Sequence, residues 1–142
     1  MLEKRLLRII DANFNRCKEG LRVVEDIFRF VFEDDAMRIK IRSIRHSLDA
    51  IARQNIIRKA ILQRNSKSDL GRRTDFLEIK HRTCVDILYS NLQRAKESLR
   101  VLEESFKLIS PNRVWRIKRI RYNLYSLEKD IYVRQPHVIR QK

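Results

Sequence analysis

Chemistry in this chain concentrates in a run of Asn, Arg and Glu between residues 13 and 25, and the run occurs twice. Asn13, Arg16, Glu19, Arg22 and Glu25 reappear as Asn91, Arg94, Glu97, Arg100 and Glu103, at a constant offset of 78 residues. Self-similarity at a fixed period is the signature of a duplicated structural unit. On a helix the Arg and Glu residues stand three apart and can pair along the surface for a few tenths of a kcal/mol each. A ladder of this kind is ordinarily a solvated face. Its repetition in identical residue types is harder to attribute to the surface, because surface charge drifts at little cost. Arg45 and Arg121 sit at the rims of two further apolar faces, where a planar guanidinium can reach Glu25 and Glu103 or grip phosphate.

A second line of residues runs along the same helices. Asn13, Cys17, Gly20 and Val24 fall at i, i+4, i+7 and i+11, and their counterparts are Asn91, Ala95, Ser98 and Leu102. A mid-helix glycine costs about 1 kcal/mol relative to alanine. Gly20 therefore marks either a tight helix crossing, with each Asn bonding across it, or a polar pocket between two helical pairs. Other chemistries are missing from the chain. There is no GxxxxGK[ST] phosphate loop and no GxGxxG. His46, His81 and His137 lack metal-ligand spacing, and His46 is matched by Tyr122. Cys17 and Cys84 form no CxxC pair, and Cys17 falls on an apolar face. Residues alone thus predict an Asn/Arg/Glu-rich seam and specify no reaction.

The elements that carry these residues are readable from periodicity. With 2 Gly and 2 Pro in 142 residues, the chain is starved of turns and fits long helices. Leu6, Ile10, Phe14, Cys17, Leu21, Val24, Phe28 and Val31 define one face of a helix over about 4–32. Asp34 or Asp35 caps a second, over about 36–63, with the stripe Met37, Ile41, Ile44, Leu48, Ile51 and Asn55, and Leu62 near the end. A loop over 65–74 follows. A third helix starts at Asp75 or at Thr83, both of which have capping-box spacing, with 83–109 favoured; Leu88, Leu92, Ala95, Leu99, Leu102 and Phe106 are its stripe. Ser110-Pro111 begins a fourth helix, lined by Val114, Ile117, Ile120, Leu124, Leu127 and Ile131. Ile44-Arg45-His46-Ser47-Leu48 matches Ile120-Arg121-Tyr122-Asn123-Leu124, so the duplication extends over both helices of each pair.

The expectation is one all-α domain over 1–142, in which four long helices form two repeated antiparallel hairpins with pseudo-two-fold symmetry. The hairpins span 1–64 and 83–133, joined by a loop over 65–82 and followed by a basic tail over 134–142. The net charge of +15 attracts polyanions, so nucleic acid, phosphorylated metabolites and anionic membranes are candidate partners. No apolar run reaches membrane length and no signal peptide is apparent, which points to a cytoplasmic protein without a membrane partner. Val23, Ile27 and Phe30 lie off the main stripe and suggest a homodimer face on the first helix.

The stretch Asp11-Ala12-Asn13-x-x-Arg16-x-x-Glu19-Gly20-Leu21-Arg22-Val23-Val24-Glu25-Asp26 resembles the signature of a thiamine-biosynthesis domain, phosphomethylpyrimidine kinase-like and often fused in front of thiamine-phosphate synthase. Ile44-Arg45-His46, Asp69-Leu70-Gly71 and Asn91-x-x-Arg94-x-x-Glu97-x-Leu99-Arg100-Val101-Leu102-Glu103-Glu104 fit the same pattern. The sequence departs from it at Asn65 and Ser90. The resemblance implies ATP- and Mg²⁺-dependent phosphorylation of hydroxymethylpyrimidine phosphate to the diphosphate. Arg16, Arg22, Arg45, Arg94 and Arg121 would neutralise phosphate, with Arg16, Arg22 and Glu25 at the chemistry. Asn13 and Asn91 would read the aminopyrimidine edge or position phosphate. Asp69, Glu103 or Glu25 would hold the metal. The alternatives are a non-catalytic binding or scaffolding partner of thiamine-phosphate synthase, and a nucleic-acid-binding helical protein.

Overall fold

A computed structural model of the chain describes residues 1–52, 55–73 and 83–134. The fold is all-helical, with no strand among the described residues. Helix α1 (Leu2–Asp26) continues into a π-helical turn, Ile27–Val31. Then come α2 (Asp35–Ser47), a single turn α3 (Asp49–Ala52) and α4 (Asn55–Leu62). A 3₁₀ turn at Ser66–Ser68 precedes α5 (Cys84–Ile109), and a second at Pro111–Arg113 leads into α6 (Val114–Arg134).

Ion pairs across neighbouring helices show how the chain folds back on itself. Glu25 meets Arg45, Lys18 meets Asp49 and Asp11 meets Arg64, so α2–α4 run antiparallel to α1. Glu103 meets Arg121 and Lys96 meets Glu128, so α6 runs antiparallel to α5. The broadest helix contact is between α1 and α5, and α2 packs on α6 to close the bundle. Leu21, Val24, Phe28, Leu99, Leu102 and Phe106 are fully buried between these helices. Each buried side chain of this size contributes roughly 1.5–3 kcal/mol.

The caps follow the sequence. Asp34 accepts the Met37 amide proton at the start of α2, and Thr83 and Asp86 form a reciprocal capping box at the start of α5. The alternative start at Asp75 lies outside the described residues, as do His81, His137 and the tail from 135 onward.

Three expectations need correction. The first helix does not stay α-helical to Phe32. The π turn inserts a residue and advances the phase, burying Ile27 and Phe28 and turning Val31 out to solvent. Ile27, expected on a dimer face, is therefore core, and Val23 packs partly against it; Phe30 alone of that trio is exposed. The second helix is not continuous. Ser47 Oγ donates to the Ser43 carbonyl, a back-bond that bends helices, and the Leu48 amide bonds to the Arg45 carbonyl at 3₁₀ spacing. The expected stripe still holds at Leu48 and Ile51; beyond Ile51 the phase differs, with Ile57 and Ala60 buried and Asn55 and Leu62 facing solvent.

Candidate functional site

The α1–α5 crossing sets the register of the repeated residues. A Cβ on Gly20 would stand 3.1 Å from the Asn91 carbonyl oxygen and 3.8 Å from the Ala95 nitrogen. Cys17 lies against Ser98, whose hydroxyl interacts with the thiol. The contacts pair residue 20 with 95 and 17 with 98, and the helices run in opposite directions. Asn13 and Asn91 thereby lie toward opposite ends of the crossing, and Asn91 Oδ1 also comes within 3.8 Å of the Cβ position on Gly20. Gly20 serves close helix approach, and Cys17 is interior: burial pushes its thiol up to about 12, offset in part by Ser98.

The structure separates the residues expected to act together. Arg16 and Glu25 are nine residues apart on α1, about 14 Å along the axis. Glu25 is buried and takes Arg45 Nε at 2.7 Å, with Arg22 Nη1 at 3.8 Å. Glu103 is also buried, and its two oxygens accept from Arg121 Nε at 2.7 Å and Nη2 at 3.4 Å. Arg121 Nη1 donates to the Tyr125 hydroxyl at 2.9 Å, and the bond to Glu103 raises the guanidinium pKa further. Arg121 is thus engaged by protein on each edge, and Glu103 is committed to a cation. Arg22 and Arg94 are exposed. Asn91 donates to the Ile87 carbonyl within its own helix.

A cleft of about 560 Å³ lies at the Asn13 end, between α1 and the segment after α4. Asn13 is buried in its wall: Nδ2 donates to the Ile9 carbonyl, and Oδ1 accepts from Arg16 Nη1 at 3.4 Å. Arg8 and Arg5, about one and two turns before Asn13, line the same cleft with Asp69. Asp69 is exposed, and one carboxylate oxygen accepts the Gly71 amide proton at 2.8 Å. Asp11, buried, takes Arg64 in a bidentate pair at 2.6 and 2.7 Å. The cleft therefore gathers Asn13, Arg16 and Asp69 from the expected residues, and leaves Arg22, Glu25, Arg45, Asn91 and Arg94 outside its lining.

Sequence reasoning missed Arg5, Arg8, Asp11 and Arg64 as cleft residues. Asp11 was visible as the first residue of the repeated stretch. Its counterpart is Tyr89, so a comparison confined to shared residues passes over it. At the Tyr89 position the molecule has a different feature, a smaller, largely apolar pocket lined by Leu88, Tyr89, Leu92, Ile131 and Tyr132. Among the described residues the Asn13 cleft is lined by four guanidinium groups, Arg5, Arg8, Arg16 and Arg64, against the carboxylates of Asp11 and Asp69, a positive surplus that suits an anion carrying several charges.

Comparison with known proteins agrees with the signature on α1. A model of the ThiD2 family matches residues 8–130. The chain belongs to the ThiD2 family. Relatives of this member include a protein named thiamine-phosphate synthase from Synechocystis sp., 38% identical over 127 residues that cover 89% of the chain and 36% of that protein. A protein of the same name from Nostoc punctiforme is 34% identical over 131 residues, covering 92% and 36% respectively. The chain spans about a third of the length of these curated relatives. No solved structure matches. The family match contains Asp11, Asn13, Arg16, Arg64 and Asp69, so the whole cleft except Arg5 lies inside it.

Proposed function

We propose that this ThiD2 member acts in thiamine biosynthesis, transferring the γ-phosphoryl group of ATP to hydroxymethylpyrimidine phosphate at the Asn13 cleft. The observation that carries the reading is the convergence of Arg5, Arg8 and Arg16 on one side of a cleft whose far side offers Asp69. The bond between ATP's β–γ bridging oxygen and γ-phosphorus breaks, a bond forms to a phosphate oxygen of the substrate, and ADP leaves. That nucleophile is already anionic at neutral pH, because the second pKa of a phosphate monoester is about 6. No general base is required, so a cleft with no histidine among its described lining residues is compatible with the reaction. What the protein must supply is positioning and charge compensation. Arg16, held by Asn13 Oδ1, and the exposed Arg8 and Arg5 supply the compensation.

Magnesium fits this cleft through Asp69. Mg²⁺ takes one or two protein carboxylates together with substrate phosphate oxygens, and it would offset phosphate charge there. Glu25 and Glu103 do not fit that role, since each is buried against an arginine. The two hairpins are read as pseudo-two-fold related: Glu25–Arg45 in the first has its counterpart in Glu103–Arg121 in the second, and the equivalent Lys18 and Lys96 each reach across their own hairpin, to Asp49 and Glu128, at positions that do not correspond.

Incubation with hydroxymethylpyrimidine phosphate, ATP and Mg²⁺ should yield the diphosphate and ADP in equal amounts, followed by phosphorus NMR. Arg16→Ala should abolish turnover and keep the helical circular dichroism. A folded, metal-supplied protein that forms no diphosphate would refute the kinase reading. The length of the relatives favours one other reading, a binding or scaffolding partner of thiamine-phosphate synthase. It predicts calorimetric binding of the pyrimidine phosphate without turnover, and co-purification with the synthase.

A further inference from the structure

Asp11 touches no open part of the cleft with a free oxygen: both oxygens are taken by Arg64, and Asn15 Nδ2 adds a longer contact at 3.5 Å. Asp11 is buried on α1, whereas the Arg64 side chain is 44% exposed. The pair joins residues 53 positions apart in sequence. Arg64 directly precedes the segment that forms the other wall of the cleft. Within that segment, Asn65 Oδ1 accepts the Ser68 amide proton and Asp69 accepts that of Gly71, so it is a locally bonded unit, and among the described residues the bidentate Asp11–Arg64 pair tethers it to α1. Arg–carboxylate forks fix orientation as well as distance.

We infer that Asp11 is a positioning residue: through Arg64 it sets the Asn65–Leu70 segment, and with it Asp69, at the distance from Arg16 and Asn13 that the reaction needs. The inference rests on the kinase reading for its catalytic consequence but not for its structural one. Misplacing a reacting group by about 1 Å costs on the order of 100-fold in rate, so a tether of this kind controls kcat more than substrate affinity.

The test uses the full chain with Asp11→Asn, Arg64→Gln and Arg64→Lys. In the ligand-free protein, hydrogen exchange of the Ser68 and Gly71 amides should accelerate at least tenfold in Asp11→Asn and Arg64→Gln, with α5 amides unchanged. Under ATP and Mg²⁺, kcat should fall roughly 10- to 100-fold with KM for the pyrimidine phosphate within about threefold, and Arg64→Lys should recover part of the loss. Unchanged exchange at Ser68 and Gly71 in Arg64→Gln overturns the inference. So does loss of α5 protection in both Asn and Gln variants, which would make the pair a general structural brace. If the wild-type chain shows no turnover, the kinase reading fails while the exchange measurement still decides the tether. Arg64→Gln alters the exposed partner, so it supplies the answer even if Asp11→Asn does not fold.

Discussion

Arg121 is buried and its guanidinium is bonded to Glu103 and to Tyr125, so removing it leaves a carboxylate in the interior without its cation. Breaking such a pair typically costs about 3–5 kcal/mol, whereas replacing both partners with apolar groups of similar size is often neutral. Arg121→Ala should therefore lower stability by about 3–5 kcal/mol in urea titrations, and Arg121→Met with Glu103→Leu should recover most of it. A phosphate-binding Arg121 would instead leave stability nearly unchanged and weaken substrate binding. The two cysteines give a second check at this scale. Cys84 is exposed and Cys17 is buried with its thiol pushed up to about 12. A thiol reagent should label one cysteine in the native protein and two in denaturant. The Cys17 pKa is raised on folding, so its contribution is complete below the ordinary value of 9.0 and fades as pH rises toward about 12, where the unfolded thiol ionises and the folded one does not. Cys17→Ala, which places the residue found at its counterpart Ala95, should remove that part of the alkaline slope.

The end of α1 is the element whose course the sequence conceals. The Phe32 amide bonds back five residues to Ile27, the Asp34 amide reaches the Phe28 carbonyl, and Glu33 takes a positive φ of 52°. That is a glycine position filled by glutamate, in a conformation that costs an L-residue roughly 1 kcal/mol or more. Glu33→Gly should stabilise the protein by about 0.5–1 kcal/mol, seen as a rise of a few degrees in melting temperature. At the α1–α5 crossing the opposite holds for Gly20, whose added Cβ already stands 3.1 Å from backbone oxygen. Gly20→Leu should destabilise by about 1–3 kcal/mol. These elements also show where sequence reading reaches its limit. The stripes of α5 and α6 were legible residue by residue because nothing interrupts their period; of the stripes expected there, every residue is buried except the partly exposed Val114. The stripe of the expected second helix holds through Ile51, past the bend at Leu48, and departs only beyond it, where Asn55 is exposed and Ile57 and Ala60 are buried. The bend itself, made by a Ser47 back-bond, has no periodic signature. Asp11 and Arg64 were unreadable as partners for a related reason: 53 residues separate them, and only the packing of α4 on α1 brings them together.

At the scale of the molecule, the residues that recur in the sequence lie toward two ends of the α1–α5 crossing, and the chemistry of the ends differs. The Asn13 end has Asp11, the Arg64 tether and the Asp69 segment against Arg5, Arg8 and Arg16. The Asn91 end has Tyr89 where Asp11 would be, and the pocket near it is lined mostly by apolar and tyrosine side chains. Arg94 nonetheless occupies the same place in its repeat as Arg16, and both are exposed. If repeated residue types were enough to make a site, Arg16→Ala and Arg94→Ala would have equal effects. A single functional end requires them to differ. The expected outcome is loss of turnover by at least about 100-fold in Arg16→Ala, in line with removal of a group that stabilises transition-state charge. Arg94→Ala should retain activity within a few fold, and the two proteins should match in urea stability within about 0.5 kcal/mol, as exposed substitutions do. Equal losses in both variants would mean that the seam acts as one composite site. The same pair of variants separates a phosphate site from attraction by net charge alone. Each variant lowers the +15 charge by one unit, so binding that depends only on the field of the protein would weaken equally in both.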